Sequence, residues 1–97
     1  MRLEKYAIPP SATTQAAPVQ MNWGAMTARA LLEGSTIQMY CSNEAMVTIV
    51  ETRHFYVSTV NAEIPAAISP LAAPLLVDVI AAGPNVAVAL WEVYPAA

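Results

Sequence analysis

The chain is short of charge. Only 11% of its 97 residues are Asp, Glu, Lys or Arg, against about 25% in ordinary soluble domains. That shortage argues against a lone monomer with a well-solvated surface. Either other protein covers part of it or it lies in a membrane. Four basic residues, Arg2, Lys5, Arg29 and Arg53, are scattered along the sequence. Their dispersal excludes the clustered basic face that nucleic-acid binding requires. Cys41 is the single cysteine, so no intrachain disulfide forms and no secreted disulfide framework exists. It reads as a small apolar packing residue. His54 is the only histidine, which removes multi-histidine metal sites within one chain. Three glycines, Gly24, Gly34 and Gly83, are too few and too far apart for a phosphate-binding loop.

Hydrophobic residues, by contrast, make up 57% of the chain, and 19 of them are alanine. Alanine allows close approach but buries little area, so the larger side chains must supply the core. The length suits one domain, and the net charge is −3. The opening MRLEKY has charges with no apolar run behind it, unlike a signal peptide. Ile64 to Trp91 carries one charge, Asp78, but Pro65, Pro70, Pro74 and Pro84 interrupt any helix there. No Lys or Arg flanks that stretch. A membrane span is therefore disfavoured.

Residues 1–26 are expected to form an extended N-terminal arm, and residues 27–97 a β domain. The stretch AIPPSATTQAAPVQMN has three prolines and no charge. It reads either as a disordered leader or as an arm lying on a neighbouring subunit, anchored by Ile8, Val19 and Met21. WGAMTARALLE has two readings. One is a helix capped by Asn22, with Arg29 and Glu33 at i,i+4. The other is a short strand over residues 28–32. From Ser35 onward the pattern is β. Thr36–Cys41 and Ala45–Val50 suggest a hairpin across Ser42-Asn43-Glu44. Glu51-Thr52-Arg53 looks like a polar break before a strand over His54–Val60. Leu75–Ala82 and Asn85–Tyr94 alternate as strands, and Gly83-Pro84-Asn85 joins them as an antiparallel hairpin. The fold class is all-β: a small antiparallel sandwich or barrel of five to six short strands.

No arrangement of chemical groups converges. Cys41 and His54 could form a dyad only in a formal sense, because no orienting motif accompanies them. Asp78 and Glu92, each the lone charge on an apolar strand, could share one site. The plainer expectation is that each points to solvent or pairs with Arg29 or Arg53. Trp23, Trp91 and the tyrosines could make a sugar platform, or serve as core and interface anchors.

The stretches TARALLEGSTIQMYCSNEAMVTIV and SPLAAPLLVDVIAAGPNVAVALWEVY carry a resemblance. The matching positions are Arg29, Ala30, Leu31 and Gly34, then Pro74, Val77, Val79, Gly83, Val88, Ala89 and Leu90. Over residues 27–94 the chain resembles small virion structural proteins of tailed bacteriophages. It departs from that pattern at Glu33, Asp78, Pro84 and the proline-rich 61–74 loop. The resemblance implies an all-β virion component of the head decoration, cement, or spike and fibre base type. It favours the strand reading of residues 28–32 and carries over no catalytic residue.

The expected function is thus a non-enzymatic structural virion protein, a decoration, cement or minor capsid subunit. Its partners would be copies of itself and a major capsid or other virion protein, not nucleic acid or membrane. It would reside in the virion after assembly in the host cytoplasm. No cofactor, metal or catalytic residue is assigned. Contacts are expected through Ile8, Val19, Met21, Trp23, Tyr56, Trp91, Val93 and Tyr94. The alternatives are a glycan- or ligand-binding β module and, behind it, a small membrane-active protein.

Overall fold

The computed structural model describes residues 1–45 and 48–96. Those residues form seven strands: β1 (Arg2–Ala7), β2 (Ala17–Asn22), β3 (Met26–Glu33), β4 (Thr36–Asn43), β5 (Val50–Thr59), β6 (Leu75–Gly83) and β7 (Val86–Val93). A short 3-10 turn, Pro10–Thr13, lies between the first two. The strands make two antiparallel sheets, one ordered β1-β4-β3 and the other β2-β5-β7-β6. They pack face to face as a β-sandwich.

The local chemistry explains both hairpins. Between β3 and β4, Glu33 opposes Thr36 across Gly34-Ser35. Gly34 has φ +64°, a value tight hairpin turns need and most side chains resist. Between β6 and β7, Gly83 is itself the last strand residue and opposes Val86. The connection is therefore Pro84-Asn85 alone, with Asn85 at φ 59°, where asparagine is tolerated. Residues 26–33 are a strand and not a helix. Ala30 and Thr27 face Met39 and Cys41 across the β3–β4 ladder, which rewards alternation over helical spacing.

The core lies between the sheets. Met39 and Cys41 from one sheet meet Met21, Phe55 and Leu90 from the other, all essentially inaccessible to solvent. Burial pushes the Cys41 thiol above its ordinary range, so it stays protonated.

Three expectations need correction. Residues 1–26 are largely extended, but they are not a detached arm. β1 pairs with β4 and β2 with β5, and Ile8 and Ala12 are buried in the core. The prolines mislead because Pro9 and Pro10 serve the turn. Pro18 is accepted in β2 because that strand lies at a sheet edge. Second, β4 and β5 do not form a hairpin. β4 is central, flanked by β1 and β3, so no edge is left for the following segment. Met46 and Val47, part of the expected 45–50 strand, lie outside the described residues. Third, Glu51-Thr52-Arg53 is no break. Those residues pair with Met21, Gln20 and Val19, and Gln20 donates from Nε2 to Thr52 Oγ1 at 2.8 Å.

β5 and β6 both run antiparallel to β7, which lies between them. They are therefore parallel to each other, and residues 60–74 must cross from one end of the sheet to the other. The inner face is filled by the opposite sheet, so the crossover passes outside β7. Leu71 N–H donates to Tyr94 O at 3.2 Å, and Tyr94 N–H donates to Ser69 Oγ at 2.9 Å. Ala89 and Val93 belong to the face opposite Leu90 and lie outside the main core cluster, yet both are buried. The crossover is bonded to the chain at Tyr94, next to Val93, while Leu76 and Val79, which oppose Trp91 and Ala89 on the same face, stay exposed.

Candidate functional site

A two-sheet sandwich has two open sides, and here they differ. On one side the edges β1 and β2 approach each other around Glu4. Tyr6 Oη donates to Glu4 Oε1 at 2.7 Å, and Asn22 Nδ2 donates to Oε2 at 2.9 Å. Asn43 Nδ2 adds a third bond at 3.2 Å, and Arg2 Nε donates to the same carboxylate. Asn22 N–H donates to Tyr6 Oη at 3.1 Å, so Asn22 of β2 is bonded twice to β1. Burial by itself would raise the pKa of Glu4. The four side-chain donors outweigh it and hold the carboxyl at about 2. Every arm of this cluster is satisfied within the chain, which makes it a clasp.

On the other side lie β3 and β6. Residues 25–27 adjoin 75–77, and residues 28–32 adjoin 78–81. The two edge strands therefore run parallel along a groove. They share no ladder, because they belong to separate sheets. Asp78 bridges them: Ala30 N–H donates to Asp78 Oδ2 at 2.7 Å, and Val79 N–H donates to Oδ1 at 2.8 Å. A register shift between Leu76 and Asp78 turns the carboxylate into the seam. Large apolar side chains stand exposed along it: Met26 at 71%, Leu75 at 56%, Leu76 at 49% and Val79 at 55%.

At the mouth of this seam, Arg53 and Glu92 form a bidentate pair. Nε and Nη2 each donate to a Glu92 oxygen at 2.8 Å. The third arm, Nη1, reaches Ala25 O at 2.6 Å and ties β5 to the start of β3. The Glu92 carboxylate raises the pKa of Arg53 further, keeping it charged. Asp78 and Glu92 do not share a site. In the hairpin register Glu92 opposes Leu75 while Asp78 opposes Leu90, and each has its own partner. Cys41 faces the core, whereas His54 opposes Val93 on the outer face of the other sheet, so they form no dyad. Among the described residues no group of three or more His, Cys, Asp or Glu gathers in metal-binding range. No helix of the described residues is long and apolar enough to cross a membrane.

The expected contact residues divide. Ile8, Val19, Met21 and Val93 are buried within the chain and cannot meet another protein, which corrects that expectation. An apolar side chain that completes its own fold has no surface left to offer. Trp23 is exposed at 53%. Tyr56, Trp91 and Tyr94 are half-buried. Tyr56 opposes Trp91 on the outer face, and Trp91 Nε1 donates to Ser58 Oγ at 2.9 Å. Tyr40 lies on the other sheet, bonded to Glu33, so the aromatics do not gather into one platform. Sequence reasoning missed Met26, Leu75, Leu76 and Val79 as surface. Their exposure comes from lying on edge strands, and edge position follows from long-range topology.

No family model matches the chain, and neither a curated protein nor a solved structure matches it. What the fold and site define is a small two-sheet β domain with one clasped side and one apolar side.

Proposed function

We propose that the chain is a structural assembly subunit, a small virion component of the decoration, cement or minor capsid type. It acts by burying apolar surface against copies of itself and against a shell protein. The observation that carries this reading is exposed apolar area on a chain poor in charge. Among the described residues, thirteen large hydrophobics are more than a third exposed, including Leu3, Trp23, Met26, Leu71 and Val79. Scattered exposed apolar residues are ordinary, but contiguous ones point to partners. The virion assignment is supported by the strand-and-turn resemblance over residues 27–94.

The test is the state of the purified protein. Light scattering over a concentration series should show oligomers, and antibody to the chain should label native particles in electron micrographs. A soluble monomer that stays monomeric at high concentration and labels no particle overturns the reading.

A further inference from the structure

We propose that the β3/β6 seam is a two-fold interface between copies of this chain, in which Arg29 of each copy meets Asp78 of the other. The inference rests on the assembly reading above and adds the face and the contact to it.

Charge is the first support. Three of the four cations are engaged within the chain: Arg2 with Glu4, Lys5 with Glu33, and Arg53 with Glu92. Among the described residues, Arg29 has no ion-pair or hydrogen-bond partner. It lines the same stretch of groove as Asp78. It pairs in register with Tyr40 and so belongs to the outer face of its sheet. Each Asp78 oxygen accepts one backbone N–H, and a carboxylate oxygen has a second lone pair to give. A free guanidinium on the same groove as a carboxylate with spare acceptors is a self-complementary pattern. A two-fold axis turns it into two reciprocal pairs, because residue i then meets j while j meets i.

Area is the second support. At the exposures given above, Met26, Leu75, Leu76 and Val79 flank the groove with on the order of 450 Å² of apolar surface in all, within the range of the largest patch on an ordinary monomer. A standard specific interface buries about 800 Å² per partner. The exposed Ala28, Ala81 and Ala82 along the same seam extend the patch towards that size and let two backbones approach closely. The edge itself lacks the usual guards. β6 has no Lys and no Pro, and its one charge is turned into the seam.

Sedimentation velocity over a concentration series tests the proposal, using the full chain and three variants. Val79→Lys and Arg29→Glu should each weaken self-association at least about ten-fold. High salt should weaken the wild-type contact as well. Leu3→Lys, on β1 at the far edge of the three-stranded sheet, should leave the seam contact unchanged. The replaced side chains are exposed, and a thermal melt for each variant confirms an intact fold. If the wild type self-associates and neither Val79→Lys nor Arg29→Glu changes it, the seam proposal falls while the assembly reading stands. If the wild type stays monomeric at about 100 µM, far above the constants of ordinary specific complexes, self-association itself falls. The assembly reading then survives only through a shell protein.

Discussion

The two open sides of the sandwich solve one problem in opposite ways. At the β1/β2 side, a buried carboxylate gathers four side-chain donors and closes the gap from within. At the β3/β6 side, a single aspartate reaches one backbone N–H across the gap, and the surrounding side chains are left greasy and bare. Polar satisfaction rigidifies and specifies, while exposed apolar edges invite company. The contrast is that of a domain closed on one side by its own polar groups and left apolar and exposed on the other.

Substitutions test that contrast directly. The largest effect should come from Glu4→Ala. It leaves donors on Tyr6, Asn22 and Asn43 without their acceptor, so a loss on the order of 3 kcal/mol is expected. For a domain of this size that lowers Tm by about 12 °C or more, which calorimetry can read. Next is Arg53→Ala. It strands the buried Glu92 carboxylate and frees Ala25 O, for about 2 kcal/mol in chemical denaturation. Asp78→Ala should cost less, about 1 kcal/mol, because one cross-seam bond is lost at a half-open site. If Asp78→Ala proved as damaging as Glu4→Ala, the two sides would be equivalent and the contrast would be wrong. Lys5→Ala should change the melting temperature least of all. Its pair with Glu33 lies on the outer face, where solvent screens it.

Acid sharpens the same comparison. Glu4 titrates near 2 in the fold and near the ordinary carboxylate value, about 4.3, in the unfolded chain. Its ionised form therefore stabilises the fold fully above the unfolded value. That contribution is lost progressively as pH falls from about 4.5 towards 2. Urea midpoints measured across that window should fall steeply for the wild type. They should fall less for Glu4→Gln, which has no carboxyl to titrate there.

Much of the fold was legible in the residues. Alternation over 75–82 and 85–94, turning at Gly83-Pro84-Asn85, describes the β6–β7 hairpin to within a residue or two. Gly34-Ser35 marks the β3–β4 turn in the same local way. The misses share one cause, distance along the chain. β1 finds its partner 31 to 41 residues away and β2 finds its own 28 to 38 away, and no local period announces either pairing. The same holds for the surface. Val93 and Val79 look alike as letters in two apolar strands. Val93 is buried beside the crossover on a central strand, and Val79 is exposed on an edge. The exposure of Trp23 could be guessed; the burial of Met21, two residues earlier, depends on a sheet that only the whole topology builds.

The placement of the N-terminal strands also sets a timetable. β1 needs β4, and β2 needs β5, so a chain emerging from its N-terminus holds residues 2–22 without partners until residues 36–59 have been made. The β3–β4 and β6–β7 hairpins close over two-residue turns and carry little loop entropy. The clasp at Glu4 therefore comes together only when residues 2–22 fold back onto segments made after them. Those two strands are the bolt that is thrown after the door has closed.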